Sequence, residues 1–215
     1  MLCGTLFRLQ VRVMKRQLTI AKDNHPRPKR ADAQRKMGSL LKAATEVFAA
    51  SGVDAPVREI AERAGVGLGT VYRHFPQRSD LIVAVFQSSV DACAHAAPAL
   101  AKRHPPITAL SLWLERYMDF IGTKFRLCKA LYSGDPAYKA LPEYFNQRLR
   151  PALVTLLEAA VEAKAVRPGA DPDDLLVAVA NLCNAGYGRD PQHARRMVKL
   201  LVDGLRYGAA NDRHS

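Results

Sequence analysis

The chain has 215 residues, a formal charge of +12 and a pI near 9.8; that length can bury one large core or two small ones, and the charge favours a polyanionic partner. Its four cysteines, Cys3, Cys93, Cys128 and Cys183, lie far apart with no CxxC or Cys/His cluster, which argues against a zinc site or disulfide framework and fits separate thiols in a cytoplasmic protein. Apolar runs such as 81–86 are too short to span a bilayer, and Arg8, Arg12, Lys15 and Arg16 interrupt any signal-peptide core, so no membrane partner is expected.

Alanine and leucine dominate, and no long period-2 run of β-branched residues occurs, so the expected fold is all-α. Residues 1–42 hold eleven Lys or Arg against two Asp, whereas 43–96 hold four basic and six acidic side chains. Residues 1–30 read as a basic, flexible extension that closes on the breaker Asn24-His25-Pro26-Arg27-Pro28. A helix is predicted from Ala31 to Ala50, with Met37, Leu40, Leu41, Ala44, Val47 and Phe48 on one face and Arg30, Arg35, Lys36 and Lys42 left to solvent or phosphate. Ser51-Gly52 stops it. A second helix starts near Asp54-Ala55-Pro56, turns Ile60, Ala61 and Ala64 inward and ends at Gly65. The third covers Leu68 to His74, and the fourth runs from Ser79 to His95. Residues 96–106 contain three prolines and read as a linker, which divides a domain at 31–95 from one at 96–211. Further helices are predicted at 107–120, 124–131, 143–165 with a disturbance at Pro151, 173–187 and 192–207.

The stretch from Val57 to Phe75, VREIAERAGVGLGTVYRHF, carries the functional signal. Ala61 is small where a second helix must come close, and Gly65 can take the left-handed conformation that ends the first helix. Val66 and Val71 fill the angle above Ile60. This spacing suits a helix-turn-helix whose second member lies in the major groove, and it also suits an ordinary helical hairpin. Gly65, Gly67 and Gly69 do not make a nucleotide loop: no strand precedes them, and neither GxGxxG nor GxxxxGK[ST] is met. The basic segment just ahead of the pair is the electrostatic footprint of a nucleic-acid reader.

These residues resemble a known family. Residues 35–86 are similar to the DNA-binding domain of the TetR family of bacterial transcription regulators, through LLKAATEVFAASG at 40–52, EIAERAGVGLGTVYRHF at 59–75 and RSDL at 78–81. Pro56, Gly67 and WLERYMDFIGTK at 113–124 resemble the SbtR-like subgroup. Ala55 stands where the family usually has a hydroxyl residue, and Arg78 where it usually has Lys. The resemblance implies a homodimer that binds a palindromic operator in double-stranded DNA, generally as a repressor, and leaves it when a small molecule enters the C-terminal domain. It implies Thr70, Tyr72, His74 and Arg78 on backbone phosphates, and Leu68, Gly69 and Arg73 near base edges. Such a protein works in the cytoplasm, on the nucleoid when bound. An activator or ligand-independent regulator of the same fold is the alternative, and a basic helical RNA- or protein-interaction module is another.

The C-terminal region offers no catalytic constellation. His95, His104, His193 and His214 are scattered, and no HExxH or GxSxG occurs, so neither an enzyme nor a metal or other cofactor is expected. Asp171, Asp173 and Asp174 read as a charged helix start. Trp113, Tyr117, Phe120, Phe125, Cys128, Tyr138, Phe145, Cys183 and Tyr187 can line a pocket or fill a plain core. The resemblance favours the pocket, and the lack of clustered charge points to an apolar or amphipathic effector. The last two helices have broad apolar faces, and in the resembled family they pair between subunits. Leu176, Val179, Met197, Leu201 and Leu205 are the interface candidates.

Overall fold

The computed structural model describes residues 28–186 and 191–211, and all described regular structure is helical. Among the described residues nine α-helices follow one another: α1 (Pro28–Ser51), α2 (Val57–Ala64), α3 (Leu68–His74), α4 (Arg78–Arg103), α5 (Pro106–Arg126), α6 (Cys128–Leu131), α7 (Leu141–Glu162), α8 (Pro172–Gly186) and α9 (Pro191–Asn211), with a 3₁₀ turn at Pro136–Tyr138 before α7. The chain divides into two compact units at Ser39–Leu40, within α1. The expected extension at 1–30 lies outside the described residues up to 27, and α1 begins at Pro28, since proline is tolerated where a first-turn N–H has no partner.

From Leu40 onward α1 buries Leu40, Ala44, Val47 and Phe48, as its periodicity predicts. Gly52 and Gly65 both adopt positive φ, 79° and 67°, so each ends its helix in a conformation that a side chain would strain. At Gly65 the following Val66 N–H returns to Ala61 O at 3.0 Å. That bond turns the chain sharply into α3.

The proline-rich stretch expected as a linker is helix instead, except at residues 104 and 105. Helix α4 runs unbroken through residue 96 to Arg103 with Pro98 inside it. Pro98 forfeits one backbone bond, but Val90, Cys93, Ala97 and Leu100 continue a buried stripe across it, and that packing holds the helix together. Pro151 is likewise contained in α7, where Leu149, Leu153, Leu156 and Leu157 are buried on both sides of it. By length and composition α4 could pass for a membrane span, yet its stripe is packed against α5 and α7. Helix α8 lies on α5, α7 and α9. One helix thus carries the chain directly from the α2–α3 pair into the C-terminal bundle.

Candidate nucleic-acid interface

Helix α3 has two sides of opposite character. Val71 is 1 % exposed and joins Ile60 and Ala61 in the core, while Leu68, Tyr72, Arg73 and His74 face outward with Gly69 among them. Tyr72 leaves 50 % of its surface in solvent and Leu68 38 %, apolar surface that a partner could cover. A Cβ placed on Gly69 would meet nothing within 4 Å, and one on Gly67 would come only within 3.9 Å of Thr70 Oγ1. These glycines are therefore not demanded by the protein's own packing, and what they leave open is the outer surface of the helix start. Thr70 is half-buried, with its backbone N–H on Gly67 O at 2.9 Å.

Arg78 is placed differently from the other residues expected on phosphate. Its Nε donates to Val53 O at 2.6 Å, and its Nη2 donates to Ala55 O at 2.5 Å and also to Val53 O. The guanidinium carbon sits 5.9 Å from the Phe48 ring centroid. The side chain ties the start of α4 to the α1–α2 turn, where a planar fork satisfies carbonyls that a lysine could not reach together. Two further links tighten the same head: Arg63 pairs with Glu46 at 3.0 Å, and Arg126 of α5 donates to Ala49 O at 2.9 Å. A capping box at Gln77 and Asp80 starts α4.

Among the α1 cations, Arg35 and Lys36 are exposed and share Asp32 at 3.6 and 3.0 Å. Surface pairs of this kind are weak, so both cations can be drawn to a phosphate. Arg30 lies within α1, but its side chain falls outside the described residues. Two exposed cations of the helix pair lie outside the predicted set: Arg63, held by Glu46, and Arg58 in the first turn of α2, whose side chain is 79 % exposed and 3.8 Å from Glu62. The position of Arg58 in the first turn of α2, two residues before the buried Ile60, is the signal that singles it out.

The aromatic residues expected around a ligand divide into several environments. Trp113 stacks on Tyr117 at 5.8 Å, Tyr117 on Phe120 at 6.1 Å, and Phe145 meets Phe120 at 5.8 Å. The polar atoms of this ladder are spent internally: Trp113 Nε1 donates to Cys93 O at 3.0 Å and the Tyr117 hydroxyl to Leu176 O at 3.2 Å. Burial pushes the Cys93 thiol up to about 12, with Arg116 opposing, and burial also raises Tyr117; both keep their protons at neutral pH. Cys183 is half-buried beside Tyr117. Phe125 is part-exposed, whereas Tyr138 lines a separate cleft with Arg78. The Cys128 side chain and Tyr187 lie outside what is described.

The interface candidates also separate. Leu176, Val179 and Leu205 are 4 %, 0 % and 6 % exposed within one protomer, so they serve its own core, and Met197 and Leu201 are half-buried. Among the described residues, the large apolar side chains left uncovered on α8 and α9 are Val177 at 59 % and Leu200 at 65 %. They stand one position away from the predicted ones, on the outward sides of the two helices.

Comparison with known proteins fits this geometry. A family model described as bacterial regulatory proteins of the tetR family matches residues 40–85, and one described as the C-terminal domain of SbtR-like transcriptional regulators matches 105–207. The HTH-type transcriptional activator FasR of Mycolicibacterium smegmatis is 28 % identical over 193 residues, covering 87 % of this chain and 78 % of its own. The crystal structure of the TetR transcriptional regulator SCO0520 from Streptomyces coelicolor superposes with a TM-score of 0.70 at 33 % identity, over 79 % of this chain and 97 % of that one. A TetR transcription regulatory protein from Mycobacterium vanbaalenii gives 0.65 at 34 %, over 83 % and 99 %. With its helix-turn-helix, its helical bundle and relatives of this closeness, the chain belongs to the TetR family of DNA-binding transcriptional regulators, which are not enzymes.

Proposed function

We propose that the protein is a homodimeric repressor that grips a palindromic operator with two copies of α3 and releases it when an apolar or amphipathic small molecule enters the C-terminal bundle. The observation that carries this reading is the two-sided α3, with Val71 anchored and Leu68, Gly69, Tyr72, Arg73 and His74 presented together. In this reading Thr70, Tyr72 and His74 hold backbone phosphates, Leu68, Gly69 and Arg73 lie against base edges, and Arg58 adds a phosphate contact from α2. Arg35 and Lys36, with Arg30 ahead of them, bind phosphate or reach the minor groove. Arg78 acts through the head it holds together, as its bonds to the α1–α2 turn support. Residues 31–95 are the DNA-binding domain and 96–211 the regulatory and dimerisation domain, joined through α4, and the match over 105–207 favours an SbtR-like body. The ladder from Trp113 to Phe145 supports an apolar guest in that body. The repressor would act in the cytoplasm, at the nucleoid.

Tyr72→Ala is the direct probe of this reading. The side chain is half exposed, so melting should not change, while operator affinity falls about tenfold, the value of one hydrogen bond to a charged phosphate. Unchanged affinity would remove Tyr72 from the interface. Activation is the second reading, favoured by the relative FasR, a transcriptional activator. An operator upstream of the promoter, rather than overlapping it, would select it.

A further inference from the structure

At 3.6 residues per turn, Gly69 and Arg73 both fall within about 20° of the line opposite the buried Val71. They form the crest of α3, and Thr70 and Tyr72 flank it, each about 100° from Val71. An α-helix about 10–12 Å across fills a major groove about 12 Å wide. With the head of the protein behind Val71, the crest faces the floor of the groove and the flanks face its phosphate walls. Base edges lie on the floor.

The crest carries one polar side chain. Gly69 adds bare backbone, with nothing within 4 Å of the place its Cβ would take. Arg73 is exposed, and among the described residues no hydrogen bond or ion pair holds it. The neighbouring arginines are engaged: Arg58 lies 3.8 Å from Glu62, Arg63 lies 3.0 Å from Glu46, and Arg78 is bound to the Val53 and Ala55 carbonyls. Beside the crest, Leu68 and Tyr72 stand one turn apart with 38 % and 50 % of their surface exposed, an apolar edge to the recess at Gly69.

These groups select among base edges. A guanidinium is a fork of donors without an acceptor, which matches the paired acceptors O6 and N7 of guanine and the major-groove edge of no other base. The recess offers backbone and carbon, and the one apolar group on a major-groove edge is the thymine 5-methyl. Arg73 follows Gly69 by about 6 Å along the axis, and helical side chains lean toward the N-terminus. The fork and the recess therefore meet base pairs close together in one half-site.

We infer that each operator half-site is read at the α3 crest through one guanine, held at O6 and N7 by the Arg73 guanidinium, and one nearby thymine, whose methyl sits on Gly69 beside Leu68. The inference rests on the operator reading and adds the base chemistry to it.

The test starts with selection of duplexes from a randomised library by the full chain. The selected site is then remade with 7-deazaguanine, which has no N7 acceptor, or with deoxyuridine, which lacks the thymine methyl. At one guanine per half-site the first replacement should weaken binding about tenfold, the value of a hydrogen bond to a charged donor, and Arg73→Ala should abolish that sensitivity. At one thymine the second should weaken binding about two- to fivefold, the value of a buried methyl. Gly69→Ala should remove or reverse the thymine preference, and it should melt no lower than the parent, because its Cβ meets nothing within 4 Å. Wild-type binding indifferent to 7-deazaguanine at every guanine, or Arg73→Ala keeping the full sensitivity, overturns the guanine contact. Indifference to deoxyuridine at every thymine, or an unchanged thymine preference in Gly69→Ala, overturns the methyl seat. Either result leaves operator binding standing, whereas failure to select any duplex removes the operator reading and this inference with it.

Discussion

Replacing Arg78 by alanine is expected to destabilise the protein by about 3 kcal/mol, the order of charge-assisted bonds to two carbonyls plus a cation–π contact. The midpoint of thermal unfolding should then fall by roughly 6 to 12 °C for a chain of this size. The reason lies in what the side chain joins. Its Nε and Nη2 meet Val53 O and Ala55 O across 25 and 23 residues of sequence, and without them those carbonyls lose their partner and α4 loses its hold on the α1–α2 turn. Operator affinity should fall as well, because α3 is positioned by the same head. Its dependence on salt should keep its slope, since no phosphate contact is lost. Normal melting together with a slope shallower by about one would instead return Arg78 to the phosphate backbone.

Leu200→Glu should produce a monomer, measured by sedimentation. Leu200 is 65 % exposed on α9 and Val177 is 59 % exposed on α8; a glutamate at the first would have to be buried unpaired between subunits. Neither residue contributes to the protomer core, so the monomer should stay folded. On a palindromic operator, loss of the second half-site contact should cost about 10²- to 10⁴-fold in affinity, because the second binding event no longer occurs within one complex. A Leu200→Glu protein that remains dimeric would move the interface off this face of α9.

Much of the DNA-facing end was legible from residue types. The limits of α3, Leu68 to His74, follow from Gly67 before it and Pro76 after it, and the inward Val71 follows from the spacing to Ile60 and Ala61. The reach of α4 was hidden because Pro98 reads as a breaker locally, while the apolar stripe that overrides it extends over several turns. The task of Arg78 was hidden for another reason: its partners are backbone carbonyls distant in sequence, which carry no residue-type signal. On α8 the run LLVAVA at 175–180 is apolar all round, so periodicity could not separate the inward Leu176 and Val179 from the outward Val177. The aromatic residues of α5 announced a cluster, but whether such rings stack on one another or surround a guest depends on neighbours supplied by α7 and α8.

The most direct measurement is genome-wide footprinting of the purified full-length protein. The expected result is protection of a short inverted repeat in duplex DNA, with half-sites about one helical turn apart or a multiple of it, as a two-fold dimer with α3 in successive major grooves requires. The pattern should disappear with Leu200→Glu. Recovery of no inverted repeat, or preferential retention of single-stranded RNA over duplex DNA, would contradict the account.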